Sequence, residues 1–328
     1  MPLQDAYDAL LLDLDGTVWE GGRAIARAVD AINAAPSAKV YITNNASRSP
    51  AVVATMLREV GLKAFPHDVL TSAQAAIALA GEFINPGEPV LVVGAPSFRE
   101  LAKAAGYRVV ASADDRPALV LHGHSPDTGW ADLSEAALAI ARGAAYVASN
   151  VDTTLPTQRG LMVGNGSMVA AVTSATGVVP RSAGKPEPAM FFQAAQQVHS
   201  SRPLGVGDRL DTDIAGAVAA GMDSLHVLTG VSGPFALLSA PRECRPTFVA
   251  EDLSALAAPA GTLRPGPAGG FSARVEDGEI VLDGGDAERG GSLDALLTAL
   301  DVAWSQDCLS GRIRPVSSAA RAACKQWW

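Results

Sequence analysis

Short unbroken apolar runs alternate along this chain with stretches whose apolar residues recur every three or four positions. Residues 10–12, 40–42, 89–93, 118–121, 146–148 and 204–207 are runs of the first kind, and 107–110 is one but for Arg108, with the length and composition of buried strands. Between them, residues 133–142 and 189–198 carry helical spacing, and the pair Ser97-x-x-Glu100 predicts a capped helix start. Strand and helix in alternation predict an α/β fold with a doubly wound parallel sheet. Past residue 256 the texture changes. Residues 259–270 are dense in Pro and Gly and read as a linker, after which residues 273–276 and 279–282 flank Asp277-Gly278, a hairpin signal. A helix follows with Leu293, Leu296, Leu297, Leu300 and Trp304 on one stripe, which must be buried on the rest of this chain or on another. The terminal Trp327-Trp328 pair reads as packing rather than membrane contact.

Three of the apolar runs deliver polar clusters. The run at 10–12 leads into Asp13 and Asp15, and the run at 40–42 into Thr43, Asn44 and Asn45, with Ser47 and Ser49 beyond as candidate helix N-caps. The run at 204–207 delivers Asp208, Arg209, Asp211 and Asp213. Lys185 stands in Gly-Lys-Pro-Glu-Pro, where the prolines suit the first turn of the following helix. In an open parallel sheet ligands bind beyond the carboxyl ends of the strands, so clusters far apart in sequence can serve one site. Asp13 and Asp15 are both ionised at neutral pH, which calls for a cation. Hard carboxylate oxygens of this kind suit magnesium, which shares its coordination with substrate phosphate oxygens. The pattern therefore points to magnesium-dependent phosphoryl transfer, with Asp211 as a solvated loop residue.

Composition narrows the partners. At 328 residues and 48% hydrophobic, the chain can fill two cores and a small appendage. A net charge of −9 argues against nucleic acid, whose backbone needs clustered Lys and Arg. No apolar run approaches a membrane span, no signal peptide is evident, and three cysteines without zinc spacing fit a reducing compartment, so a cytoplasmic address is expected.

Four motifs in order, Asp13-x-Asp15-Gly16-Thr17, Thr43-Asn44-Asn45, Gly184-Lys185-Pro186 and Gly207-Asp208-Arg209-Leu210-Asp211-Thr212-Asp213, resemble those of haloacid dehalogenase (HAD) superfamily phosphatases of the NagD-like or 4-nitrophenylphosphatase subfamily. The resemblance runs from about residue 8 to residue 257. It implies a Rossmann-like core from residues 1–72 and 182–258, a large inserted α/β cap at 73–181, and a small C-terminal α+β appendage at 271–328 of unknown role. It also implies that Asp13 is the nucleophile and Asp15 the general acid and base. Magnesium would sit at the Asp13 carboxylate, the Asp15 carbonyl and Asp208, with Asp213 as a further ligand or an orienter of the others. Thr43, Asn44 and Lys185 would bind the phosphoryl group. In the cap, Ala148-Ser149-Asn150-Val151-Asp152 matches the subfamily's Ala-Thr-Asn-x-Asp, and Gly164-Asn165-Gly166-Ser167 its glycine-rich loop, making Asn150, Asp152 and Asn165 candidates for substrate specificity. The implied substrate is a small phosphorylated metabolite, glycerol 3-phosphate first, with 2-phosphoglycolate, pyridoxal phosphate and sugar phosphates as alternatives. A phosphate-metabolite-binding regulator acting through the C-terminal segment is the alternative of another class. A homo-oligomer through the cap or that segment is left open.

Overall fold

The computed structural model describes residues 1–157, 159–286, 290–308 and 310–327, so Trp328 lies outside the described residues. The chain divides into two compact units, Met1–Val40 with Ala195–Trp328, and Tyr41–Ala194. Among the described residues no helix is long and apolar enough to cross a membrane.

In the first unit, strand Ala9–Leu12 pairs in parallel with Pro203–Gly207, which pairs with Asp223–Val227, which pairs with Phe248–Ala250. Leu10, Leu11 and Leu12 are all fully buried. Successive strand residues point to opposite faces, so both faces of this sheet are covered, which is why the run reads as continuous rather than alternating.

The C-terminal segment belongs to this same unit. Strands Phe271–Glu276 and Glu279–Gly284 form the expected antiparallel hairpin, with Asp277 (φ 49°) and Gly278 (φ 75°) both in the left-handed region that a tight two-residue turn requires. Ile313–Pro315 adds in parallel. Helix Ser292–Ser305 starts where the Asp294 carboxylate accepts the Gly291 N–H at 2.9 Å. Its stripe of Leu296, Leu297 and Leu300 is buried in one cluster with Ile214, Leu237, Leu238 and Val249 of the sheet-bearing part. Trp304 donates its indole N–H to the Leu237 carbonyl at 3.1 Å, while Arg245 lies over the Trp304 ring and donates to its carbonyl. The apolar stripe is thus covered by this chain itself. Residues 259–270 hold one short 3-10 helix, Ala260–Leu263, and are otherwise irregular, as Pro and Gly density implies, yet they are tied down. Leu263 is buried, Arg264 stacks on Phe248 at 4.5 Å, and the Gly266 N–H donates to the Leu297 carbonyl.

In the second unit, Tyr41–Thr43, the end of strand Ala38–Thr43, pair in parallel with Val69–Thr71, and helices Pro50–Glu59 and Ser72–Ala80 follow. Ser49 caps the first, accepting the Val52 N–H at 3.3 Å. Thr71 and Gln74 form a reciprocal capping box on the second. A five-stranded parallel sheet then runs in the order Arg181–Ser182, Ala145–Ala148, Leu119–His122, Pro89–Val93, Arg108–Val110. Helices Pro96–Ala104, Trp130–Ala141 and Asn165–Thr176 accompany it, the latter two packing on one face through Ala136, Ala139, Val169 and Val172. The helix expected to open on a Ser97 and Glu100 capping box begins two residues earlier, with Ala95 as its N-cap, because Pro96 occupies its first position, where its missing N–H costs nothing. Glu100 instead pairs with Lys103 at the surface.

Candidate active site

The carboxylates gather in the first unit. Asp13 directly follows strand Ala9–Leu12, with its N–H donated to the Val206 carbonyl of the adjacent strand at 2.9 Å. Asp208 directly follows Pro203–Gly207, and Asp213 stands in the turn Leu210–Ile214. All three are buried, and one carboxylate oxygen from each lies within 4.8 Å of the others. Three carboxylates so close and so far from water repel one another, and a hard divalent cation offsets that repulsion. The donor set, all oxygen and all anionic, fits magnesium.

Asp208 is held on both oxygens. The Thr17 hydroxyl donates to Oδ1 at 3.3 Å and the Val231 N–H to Oδ2 at 2.7 Å. Asp213 accepts the Arg209 N–H at 3.1 Å. Two glycines permit the crowding around Asp208. A Cβ on Gly16, which sits at φ +91°, would fall 2.5 Å from Asp208 Oδ2, and one on Gly230 would fall 2.0 Å from the same atom. The loop carrying Gly230 and Val231 is tied back by Thr229, whose hydroxyl donates to the Gly16 carbonyl at 2.6 Å. Thr229, Gly230 and Val231 were not singled out by the sequence, because main-chain donors and small side chains leave no chemical signature there. Asp15 is exposed, unlike Asp13, and its Oδ1 accepts the Trp19 indole N–H at 2.9 Å. Asp211, read as a loop residue, forms a two-point pair with Arg209 that lowers its pKa.

The remaining candidates lie in the second unit and converge on Asn44. Thr43, buried at the end of its strand, accepts the Asn45 N–H at 3.1 Å, and Asn45 in turn accepts from the N–H and hydroxyl of Ser47. Asn44 accepts the Lys185 N–H on Oδ1 at 2.9 Å, and its Nδ2 donates both to the Lys185 carbonyl and to Asp152 Oδ2, each at 3.0 Å. Lys185 is only 2% exposed, and its ammonium donates to the Ile42 carbonyl at 3.4 Å. Asn150 donates to the Asn44 carbonyl at 2.6 Å and accepts the Asp152 N–H. Asn165, at the start of helix Asn165–Thr176, donates to the Asn150 carbonyl at 2.7 Å. The structure therefore brings Asn44, Asn150, Asp152, Asn165 and Lys185 into one network.

Comparison with known proteins agrees with this chemistry. The family described as haloacid dehalogenase-like hydrolase matches residues 10–108, and a HAD-hydrolase-like family matches residues 182–256. The chain is 43% identical over 331 residues to D-glycerol 3-phosphate phosphatase of Mycobacterium tuberculosis, covering 98% of this chain and 94% of that protein. It is 36% identical to acid sugar phosphatase of Staphylococcus aureus, over 69% of this chain and 88% of that one. The crystal structure of glycerol phosphate phosphatase from Mycobacterium tuberculosis in complex with magnesium superposes with a TM-score of 0.95 at 43% identity, covering 100% of this chain and 98% of that chain. That of 4-nitrophenylphosphatase from Thermotoga maritima gives 0.72 at 25% identity, over 79% of this chain and all of the other.

Proposed function

The chain belongs to the haloacid dehalogenase-like hydrolases, and from that premise we propose that it is a magnesium-dependent phosphatase that converts glycerol 3-phosphate to glycerol and inorganic phosphate. The observation that carries the choice of substrate is the 43% identity to a D-glycerol 3-phosphate phosphatase over 98% of the chain, which takes in the C-terminal segment as well as the rest. The acidic composition and the free cysteines support a cytoplasmic address.

In this reading an oxygen of Asp13 attacks phosphorus and forms an aspartyl-phosphate, which splits one difficult hydrolysis into two displacements. Asp15, in its protonated form, gives its proton to the leaving alkoxide oxygen, then as the carboxylate takes one from the water that attacks the aspartyl-phosphate and frees phosphate. The environments of the two carboxyls suit these roles. Asp13 is buried beside Asp208 and Asp213, whereas Asp15 is exposed and can exchange protons with solvent while the Trp19 indole fixes its orientation. Magnesium, held by Asp13, Asp208, Asp213 and the Asp15 carbonyl, would offset the negative charge that a carboxylate and a phosphate dianion bring together. The motif order assigns the Thr43 hydroxyl and the Lys185 ammonium to the phosphoryl oxygens, where fixed donors and positive charge stabilise the transition state.

Phosphate release from glycerol 3-phosphate, 2-phosphoglycolate, pyridoxal phosphate and a hexose phosphate, each with and without magnesium, tests the reading. Magnesium-dependent turnover with glycerol 3-phosphate preferred is the expected result. Preference for the hexose phosphate would transfer the chain's substrate to that of its acid sugar phosphatase relative, and absence of turnover on every ester would overturn the reaction itself.

A further inference from the structure

Asn150, Asp152 and Asn165 are the residues from which substrate selectivity was expected, yet their side chains are engaged with main-chain groups and with the Asn44 side chain. Asn150 is 4% exposed and Asn165 is 2% exposed. A buried amide is costly unless its donors and acceptors are met; here the donors are met by main-chain carbonyls in series, while Asn165 Oδ1 meets no hydrogen-bond partner among the described residues. The Asn165 side chain donates to the Asn150 carbonyl, and the Asn150 side chain donates to the Asn44 carbonyl. The Asn44 side chain then grips both peptide groups of Lys185, accepting from its N–H and donating to its carbonyl. Each step reaches across the fold rather than along it, spanning 15, 106 and 141 positions in sequence. The first member sits on a rigid element, since helix Asn165–Thr176 is anchored through buried Val169 and Val172. The last member is a buried lysine whose ammonium position depends on where its main chain is held.

We propose that Asn165 and Asn150 are positioning residues of the phosphatase, which set the place of Lys185 through Asn44 and do not touch the substrate. The inference rests on the phosphatase reading, in which Lys185 binds the phosphoryl group. Every phosphomonoester shares that group. Loss of the ladder must therefore weaken all substrates alike, whereas a residue touching the alcohol portion changes the ratios between them.

The test uses Asn165→Ala and the isosteric Asn150→Asp in the full chain, so that one variant remains if the other fails to fold. Ser167→Ala is the control, because it removes a 2.8 Å hydrogen bond to the Thr153 carbonyl from the same helical turn. In the two ladder variants kcat/KM should fall about tenfold, equally within threefold for glycerol 3-phosphate, a hexose phosphate and 4-nitrophenyl phosphate, the scale expected for a lost buried hydrogen bond. Calorimetric titration with inorganic phosphate should show a matching loss of affinity, with magnesium affinity and the Ser167→Ala protein unchanged. Losses that differ by more than threefold between esters, or unaltered phosphate binding, overturn the proposal. Absence of turnover in the parent protein would sink the phosphatase reading alone, because the phosphate titration still decides the ladder.

Discussion

Asn44 and Lys185 exchange two hydrogen bonds across 141 residues of sequence, the lysine N–H donating to Asn44 Oδ1 and Asn44 Nδ2 donating to the lysine carbonyl. An amide side chain here imitates a neighbouring strand, pairing with a peptide on both sides. The consequence is a lysine fixed at its main chain, whose buried ammonium is further held by the Ile42 carbonyl.

The cluster of Asp13, Asp208 and Asp213 carries the first prediction. Asp13→Asn keeps the shape of the side chain but removes the anionic nucleophile, and kcat should fall by at least about 10³-fold. Phosphate release measured with magnesium in excess checks this, and residual turnover near the parent level would remove Asp13 from the nucleophile's role.

Gly230 supplies the second. An added Cβ would lie 2.0 Å from Asp208 Oδ2, inside any tolerable contact, so Gly230→Ala must displace the Asp208 carboxylate or the loop that holds it. Magnesium affinity measured by calorimetry should weaken by at least about tenfold, the effect of disturbing the groups that orient a metal ligand.

A third prediction concerns acid stability. His122 is fully buried on the strand Leu119–His122, its Nδ1 lies 2.9 Å from the Tyr146 hydroxyl, and burial pushes its pKa down to about 4. In the unfolded chain the ring protonates near 6.5. The neutral ring's contribution is therefore complete above pH 6.5 and is lost as pH falls towards 4, the loss reaching about 3 kcal/mol. Thermal unfolding followed from pH 7 to pH 4 should show Tm falling across that window, and His122→Phe should flatten part of the fall. An equal slope in both proteins would rule out His122 as a source.

The fourth concerns the C-terminal segment. Leu297 is 1% exposed in the cluster that includes Leu237 and Leu238. Leu297→Ala should cost about 2–5 kcal/mol of stability in a chemical denaturation series. Removal of residues 271–328 should leave a chain that does not fold, because Ile214, Leu237, Leu238 and Val249 lose their cover. A truncated protein with the parent Tm would show that the segment is dispensable.

Much of the carboxylate site was legible in sequence because a strand followed by a polar turn is a local signal. Asp13 and Asp208 each stand directly after an apolar run, and the structure places each directly after a buried strand. The hairpin at Asp277-Gly278 was legible for a similar reason, since only a few residue pairs accept two left-handed conformations in succession. The start of helix Pro96–Ala104 was misread because two local signals competed, and the proline, which needs no N–H partner, prevailed over the Ser97 box. Thr17 and Val231 were illegible as supports of Asp208, and Thr229 as the tie to Gly16, since a hydroxyl or a main-chain N–H acquires that role only from what folding sets beside it.

Taken by itself, the sequence determined the alternation of strand and helix, the positions of the carboxylates at strand ends, the change of texture past residue 256 and the resemblance that names the chemistry. Each depends on the order of residues within a few turns of chain. Tertiary structure alone decided that the stripe of Leu296, Leu297 and Leu300 is buried on this chain's own core rather than on another chain. It alone decided that Asn150 and Asn165 point their amides at main-chain carbonyls. The physical reason is common to both. An apolar stripe and a buried amide each require a partner, and the local sequence states that requirement without stating which distant segment meets it.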